Sequence, residues 1–431
     1  MSLAIPQSRP AFVLSDISRA ILTVVAAICF ALPLKMAGVG EFEIPLAMVM
    51  VVLGLPALFT LPKIENGKVL LSAMGLAMLS LCVWDLSPQS ENSFRPYFSY
   101  TFFFIPFVTY ALGYSVIRKR EEFRRFVSLC SFLGALAGIG MAITIWRLGI
   151  PVRMEGVIQG SLLGLPLYAT YGVNTLAITE FVMFAFIWTD LVFSKSPKMV
   201  FVLVKLAGLA CLTALILLSL SRGGTLSLAV FVVLTFGALL LRNPQKAVII
   251  LAAFVVGGMY IVARYGDVVT TAWSVRFSQS ATAADEGDVN DLTSGRLTLV
   301  NSAVGDVLDN PLFGVGFTGF HTGRENFSQL DAQNSSPHDQ YLTMVWKPGV
   351  PAGLLLIWFV IRNVGALGRL RKKGEHAGIF SGLWCMTLAM LLIAALTWDV
   401  LLVPNLGAWM MFIFGAASSI EHRERQEAAA V

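Results

Sequence analysis

The sequence predicts an all-α protein that crosses a membrane many times, and three observations support this fold class. Hydrophobic residues make up 56% of the 431-residue chain, whereas charged residues make up only 13%. A soluble domain carries about 25% charged residues, so this chain has too few to cover one apolar core in water. Nearly uncharged stretches recur along the chain, each long enough to cross about 30 Å of hydrocarbon as a helix. We therefore expect a polytopic membrane protein.

Twelve apolar segments are the expected transmembrane helices. In chain order they cover residues 20–37, 44–62, 69–86, 97–117, 127–148, 173–193, 200–219, 224–241, 248–264, 340–361, 377–397 and 400–417. The first segment also resembles a signal peptide. Its charged leader is long and no small-x-small cleavage site follows it, so we interpret it as an anchor.

The distribution of Lys and Arg predicts the orientation of the chain. Twenty of the 31 basic residues lie in every second connection, for example in RKREEFRR (118–125) and RNVGALGRLRKK (362–373). Basic connections stay in the cytoplasm, which places both termini there. We expect nine helices in residues 1–264, one large outer loop in residues 265–338, and three helices with a cytoplasmic tail in residues 339–431.

Part of the large outer loop has the pattern of an amphipathic helix at the membrane surface. An apolar stripe at helical spacing is formed by Leu297, Val300, Val304 and Val307. Thr293 or Ser294 can cap the start of this helix, and Pro311 ends it. The glycines that follow, Gly314, Gly316 and Gly319, favour a tight turn back towards the membrane.

The basic residues of the outer connections are all arginines. They are Arg95, Arg147, Arg153, Arg222, Arg264, Arg276, Arg296 and Arg324. The planar guanidinium group binds phosphate through two parallel hydrogen bonds, so this set indicates an anionic, phosphate-bearing ligand. Pairing with Asp285, Glu286, Asp288 or Asp306, or contact with lipid headgroups, is the alternative for each arginine.

Arg222 is the strongest of these candidates because it lies between two apolar spans with almost no loop. Gly223 and Gly224 beside it leave room for a ligand headgroup near the backbone. The alternative is an ordinary interfacial arginine that extends to the headgroup region.

Several other functions have little support in the sequence. The five cysteines all lie in apolar spans and indicate neither a disulfide framework nor a zinc site. The net charge of +5 reflects the cytoplasmic loops and does not indicate nucleic-acid binding. Neither an Asp-x-Asp pair nor a P-loop is present. The acidic segment DEGDVND (285–291) lacks the spacing of an EF-hand, so a solvated loop is favoured over a calcium site.

His338 lies where the outer loop meets the tenth span. Histidine titrates near neutrality and is suited to act as a general base. A residue at the headgroup boundary with no chemical role is the alternative. Pro348, Gly349, Pro351 and Gly353 predict an irregular helix just after it, which favours either a cavity or close helix packing.

Four short motifs follow one another along the chain in the same order as in a known family. They are SRGG (221–224), SGR (294–296), NPLFGVGF (310–317) and HDQYL (338–342). In the second half of the chain this resembles the bacterial O-antigen ligase and polymerase superfamily of membrane glycosyltransferases. The resemblance implies a GT-C-like fold in the inner membrane with its active site at the periplasmic face. It also implies a glycan donor carried by undecaprenyl pyrophosphate and a lipid A–core acceptor.

The resemblance assigns roles to individual residues. His338 matches the essential histidine of the family, and Arg222 and Arg296 match its essential arginines. Arg147, Arg153 and Arg276 are further candidates for the pyrophosphate, with Ser221 and Lys347 in support. Asp339 stands where the family usually has Asn or Ser, a position from which it can orient the ring or raise its basicity. Direct displacement would invert the anomeric carbon with His338 as base, and the scheme needs neither a metal nor a cofactor.

Three functions remain open at this point. A ligase is favoured because the largest outer loop lies late in the chain and ends at His338. A polymerase would use the same donor and add it to another lipid-linked repeat unit. A secondary transporter would place ionisable groups near the midplane, where Glu180 stands almost alone, and no internal repeat is visible. Asp190 and Lys205 are expected to pair with each other.

Overall fold

A computed structural model describes most of the chain. The described residues are 14–32, 35–39, 42–85, 95–148, 161–162, 165–166, 172–194, 199–219, 221–248, 250, 259, 274, 296–317, 337–372, 374–396, 400–401 and 404–430. The ninth expected span, 248–264, and most of the outer loop lie outside these ranges.

Helices dominate the described residues. They are α1 (Asp16–Ala31), α2 (Met48–Gly54), α3 (Glu65–Asp85), α4 (Arg95–Val116), α5 (Arg120–Leu148), α6 (Gly172–Phe193), α7 (Met199–Leu218), α8 (Arg222–Arg242), α9 (Arg296–Asp309), α10 (Gln340–Trp346), α11 (Val350–Leu370), α12 (Ala377–Leu392) and α13 (Pro404–Ala430). Two 3-10 helices cover Leu55–Lys63 and Ala394–Leu396. Two short antiparallel hairpins pair Lys35–Val39 (β1) with Phe42–Pro45 (β2), and Ser161–Leu162 (β3) with Leu165–Pro166 (β4).

Six helices within the described ranges are long and apolar enough to cross a membrane. They are α3, α5, α6, α7, α8 and α11, and three shorter apolar segments lie at Met48–Lys63, Phe103–Val116 and Ala377–Leu392. This supports the predicted class, a polytopic helical membrane protein. The count of twelve spans and the cytoplasmic termini stay predictions.

The tenth expected span differs from its predicted form. Residues 340–361 are not one continuous helix, because α10 ends at Trp346 and α11 begins at Val350 and runs on to Leu370. Pro348 lacks the backbone donor that a continuous helix would need. Gly349, which lies between α10 and α11, has a φ of 88°. Pro351 lies in the first turn of α11, where proline is well tolerated, and therefore does not kink it.

The core is held together by aromatic residues and by glycines at helix crossings. α13 packs along α4 so closely that a Cβ on Gly415 would lie 2.0 Å from the carbonyl oxygen of Tyr110. Phe30 of α1 packs edge-on against Phe412 and lies beside Trp409 in the same cluster. α6 lies among α5, α7, α8 and α12 and is the most deeply buried of the six long helices.

Two charged positions lie in α6. Asp190 accepts a hydrogen bond from the Lys205 ammonium of α7, and both side chains are buried. The predicted pairing of Asp190 with Lys205 is therefore confirmed. Glu180 is also buried, and its Oε2 has no hydrogen-bond partner among the residues that the structure describes.

Candidate functional site

The start of α10 holds His338 in an unusual backbone conformation. Asp339 is the N-cap of α10, and its Oδ1 accepts a hydrogen bond from the Leu342 amide at 2.9 Å. The Asp339 carbonyl accepts both the amide and the hydroxyl of Thr343, each at 2.9 Å. Immediately before this cap, the half-buried His338 has a φ of 52°, in the left-handed region that residues other than glycine rarely adopt.

Two side chains of α10 form hydrogen bonds with segments that follow it in the chain. The Tyr341 hydroxyl donates to the Leu391 carbonyl at 2.7 Å, near the end of α12. The Gln340 Oε1 accepts a hydrogen bond from the Leu401 amide at 2.6 Å. These bonds hold the residues directly after His338 against two other segments, which fixes the position of its backbone.

The segment Pro311–Phe317, here called the 311–317 turn, is hydrogen-bonded to the backbone at the break between α10 and α11. The Val315 amide donates to the Trp346 carbonyl at 2.9 Å, and the Gly316 amide donates to the Lys347 carbonyl at 3.0 Å. In return, the Val350 amide donates to the Pro311 carbonyl at 2.9 Å. The break leaves backbone groups without helical partners, and the 311–317 turn supplies partners for three of them.

Glycines make this close approach possible. Gly314 has a φ of 61°, and a Cβ there would lie 2.3 Å from the Trp346 carbonyl oxygen. The Trp84 indole of α3 donates to the Gly314 carbonyl at 2.9 Å, and Ser80 of α3 donates to the Phe313 carbonyl. The tight turn predicted from Gly314 and Gly316 is confirmed, while Gly319 lies outside the described residues.

α9 packs on the same assembly through a face that differs from the predicted stripe. Ala303, Val315 and Trp346 form a buried cluster, with Leu299, Val307 and Leu342 against it. Leu297 and Val304 are 37% and 41% exposed, so only part of the predicted stripe is buried. Asp306 lies on the buried face and accepts a hydrogen bond from the Trp346 indole at 2.9 Å. The spacing of apolar residues did not predict that Asp306 lies on the buried face, because a carboxylate is not expected there.

Trp346→Phe is expected to lower the free energy of unfolding by about 1–3 kcal/mol, the cost of removing the donor from a buried hydrogen-bond acceptor. The substitution keeps most of the buried ring and removes the bond to Asp306. Thermal unfolding in detergent measures the change. Leu308→Ala is a suitable control, because Leu308 is on the same helix as Asp306 and is 74% exposed. An unchanged unfolding temperature for Trp346→Phe would show that this bond does not hold α9 in place.

Arg222 is the first residue of α8, and its side chain is exposed. Ser221 caps the helix by accepting a hydrogen bond from the Gly224 amide at 3.3 Å. A Cβ on Gly224 would lie 2.8 Å from the Cβ of Ala177 in α6. Gly224 therefore serves the packing of α8 on α6, and the expectation that it leaves room for a ligand is wrong at this glycine.

One segment connects the two helices that carry Arg222 and His338. The 3-10 helix Ala394–Leu396 contacts both α8 and α10. Tyr341 of α10 also binds the carbonyl of Leu391, which lies just before this segment. The structure thus brings both helices against one short stretch of chain that follows α12.

The other candidates are distributed around this assembly. Arg147 lies exposed in the last turn of α5. The Lys347 ammonium lies 4.9 Å from the centre of the Trp346 ring. Arg296 is the first residue of α9, with only its backbone described. Arg153, Arg276 and the acidic segment 285–291 lie outside the described residues. Among the residues with described positions, no group of three His, Cys, Asp or Glu side chains is arranged to hold a metal.

Comparison with known proteins adds one match. The family model described as O-antigen ligase (Wzy_C) matches residues 206–357. This range runs from α7 into the first part of α11 and contains Arg222, the 311–317 turn and His338. A comparison with curated proteins gives no match. Residues 206–357 are therefore similar to the O-antigen ligase family, and all four sequence motifs lie within this range.

Proposed function

We propose that this protein is an O-antigen ligase of the bacterial inner membrane. It transfers a glycan from undecaprenyl pyrophosphate to a sugar hydroxyl of lipid A–core at the periplasmic face. The O-antigen ligase domain over residues 206–357 supports the reaction class. The donor, the acceptor and the roles of individual residues are our proposal.

The observation that carries the proposal is the conformation of His338. A left-handed residue other than glycine costs roughly 1–2 kcal/mol, and such residues cluster at functional sites. His338 keeps this conformation because the cap at Asp339 and the bonds of Gln340 and Tyr341 fix the chain directly after it. The residue is only half-buried, which is consistent with contact to a substrate.

His376 shows that strain alone does not identify a base. It also has a left-handed backbone, with a φ of 57°, and its Nε2 lies 2.9 Å from Glu121. This histidine is outside the matched family domain and carries none of the motifs. The functional assignment of His338 therefore rests on its conformation together with its place in the domain.

The proposed reaction is a direct displacement at the anomeric carbon of the donor. The acceptor oxygen forms a bond to that carbon while the bond from the carbon to the pyrophosphate oxygen breaks, which inverts the configuration. The imidazole of His338 takes the proton of the acceptor hydroxyl. Arg222 and Arg296, with Arg147, Arg153 and Arg276 as further candidates, stabilise the negative charge that grows on the departing pyrophosphate.

The contacts of Asp339 and Lys347 suggest how each of them supports the transfer reaction. One oxygen of Asp339 is bound to the Leu342 amide, so the side chain holds the start of α10. We propose that Asp339 acts on the reaction through the position of His338. The ammonium of Lys347 lies at the helix break beside Trp346. We propose that it adds positive charge near the pyrophosphate.

Transfer by purified protein tests the proposal. The assay contains glycan-linked undecaprenyl pyrophosphate, lipid A–core and EDTA. We expect wild type to label lipid A–core, and Arg222→Ala to lower the rate at least tenfold. Arg222→Lys should recover only part of the rate, because an ammonium lacks the planar fork of donors.

Leu240→Ala, a change at an exposed apolar residue in the last turns of the same helix α8, serves as the control and should leave the rate unchanged. Lengthening of the lipid-linked glycan with no labelling of lipid A–core would identify a polymerase instead. Loss of wild-type activity in EDTA that a divalent metal restores would overturn the metal-independent scheme.

A further inference from the structure

A second polar site lies at the opposite end of the bundle from His338. α3 contacts the 311–317 turn through Ser80 and Trp84 near its C-terminal end, and its N-terminal end borders a separate cavity at Asn66. α11 likewise starts at the helix break and reaches this cavity through Arg362 and Arg369. Helices rise 1.5 Å per residue, so the two sites are roughly 30 Å apart.

The cavity is open to solvent on one side, its empty space of about 470 Å³ includes part of that solvent, and its lining is strongly basic. Among the described residues, its charged lining consists of Lys63, Arg362, Arg369, Arg425 and Glu421. These four cations and one carboxylate together carry a net charge of +3. The cations come from three separate parts of the chain: the 3-10 helix before α3, α11 and α13.

Glu421 does not balance this charge. Arg369 donates to its Oε2 at 3.0 Å, and Arg425 donates to its Oε1 at 2.6 Å. Although burial opposes the charged form, the hydrogen bond and charge of Arg369, together with the charge and hydrogen bond of Arg425, hold the pKa of Glu421 below its ordinary value. The carboxylate is therefore ionised at neutral pH and already shared by two arginines. Lys63 and Arg362 line the same cavity and add two further positive charges to it.

The wall of the cavity also offers polar groups of another kind. Ser418 donates to Asn363 Oδ1 at 2.8 Å, and the Asn66 amide nitrogen lies 3.4 Å from the same oxygen. The Asn66 Oδ1 is buried and has no hydrogen-bond partner within the described part of the chain. A buried acceptor without a donor is costly, and a hydroxyl group of a ligand would satisfy it.

We propose that this cavity binds a phosphate ester that carries a free hydroxyl group. The phosphate lies among Lys63, Arg362 and the two other arginines, and the hydroxyl donates to Asn66 Oδ1. A headgroup of phosphatidylglycerol type has this chemistry, and so does free glycerol 3-phosphate. Basic pockets between transmembrane helices on the cytoplasmic side are typical sites for anionic headgroups. The expected orientation of the chain places the cavity on that side.

Lipid binding by the purified, delipidated full-length protein tests this inference, with native mass spectrometry as the readout. We expect wild type to retain phosphatidylglycerol and to bind phosphatidylcholine far more weakly. Lys63→Gln and Arg362→Gln should each weaken binding about fivefold, since one cation near an anionic headgroup is worth about 1 kcal/mol. Lys372→Gln removes a positive charge from an exposed residue outside the cavity lining and should leave binding unchanged.

Two comparisons separate the parts of the proposal. Phosphatidylmethanol has the same phosphodiester and no hydroxyl, so wild type should prefer phosphatidylglycerol and Asn66→Ala should lose this preference. Glycerol 3-phosphate that displaces the lipid at similar concentration would identify a soluble ligand as the source of the chemistry. Equal binding of phosphatidylglycerol by wild type and by the Lys63→Gln, Arg362→Gln double variant would overturn the proposal. The readout is binding, so it is independent of the transfer reaction.

Discussion

His338→Asn is expected to lower the transfer rate by a factor of about 10² to 10⁴, the usual contribution of a general base. Asparagine tolerates the left-handed region better than most residues, so the backbone at φ 52° is preserved. The cap formed by Asp339 is unchanged by this substitution. The loss of rate would then report the loss of the imidazole alone, and the transfer assay measures it directly.

His338→Ala separates the chemical from the conformational contribution of this residue. Alanine removes the base and also disfavours the left-handed backbone, so we expect the same loss of rate with a lower unfolding temperature. An asparagine variant with half the wild-type rate or more would exclude His338 as the base.

Gly349→Ala is expected to produce the largest loss of stability among single substitutions at the site. Gly349 has a φ of 88°, and a Cβ there would lie 2.2 Å from the carbonyl oxygen of Leu312. Backbone atoms of the 311–317 turn cannot move away without loss of the bonds from Val315 and Gly316 to the helix break. We expect a cost of about 3 kcal/mol or more, from strain at a special backbone conformation combined with overpacking.

Gly237→Ala is the matched control for this substitution. Gly237 lies within α8, and a Cβ there would meet nothing within 4 Å. Alanine is favoured over glycine inside a helix by up to about 1 kcal/mol, so the control should be neutral or slightly stabilising. Thermal unfolding in detergent and the yield of folded protein measure both variants. A Gly349→Ala protein as stable as wild type would mean that the 311–317 turn is not tightly held against the helix break.

Hydropathy located several helices to within a few residues. The expected spans 173–193, 200–219 and 224–241 correspond to Gly172–Phe193, Met199–Leu218 and Arg222–Arg242. Ser194, Ser219 and Arg242 mark the C-terminal limits of these apolar stretches in the sequence itself. The pairing of Asp190 with Lys205 was also predictable, because two opposite charges in adjacent apolar spans have few other partners.

The assembly around His338 was much less predictable. Asp306 was one of several expected partners for an outer arginine, and the structure shows that it accepts the Trp346 indole. The prolines and glycines after Lys347 indicated an irregular helix, but not that a turn more than thirty residues earlier supplies its missing hydrogen bonds. Such contacts depend on segments that are distant in sequence, and local periodicity carries no information about them.

The buried pair of Asp190 and Lys205 has a consequence for how the chain is inserted during synthesis. On insertion scales, an aspartate or a lysine at the centre of a single helix costs about 2.5–3.5 kcal/mol, and Asp190 and Lys205, which lie nearer to helix ends, cost less than this. The five residues between α6 and α7 are enough for a tight connection, and the two charges neutralise each other once the helices are side by side. We therefore expect α6 and α7 to enter the membrane as a pair, and we expect Lys205→Met alone to leave Asp190 without its buried partner and to delay the integration of both helices.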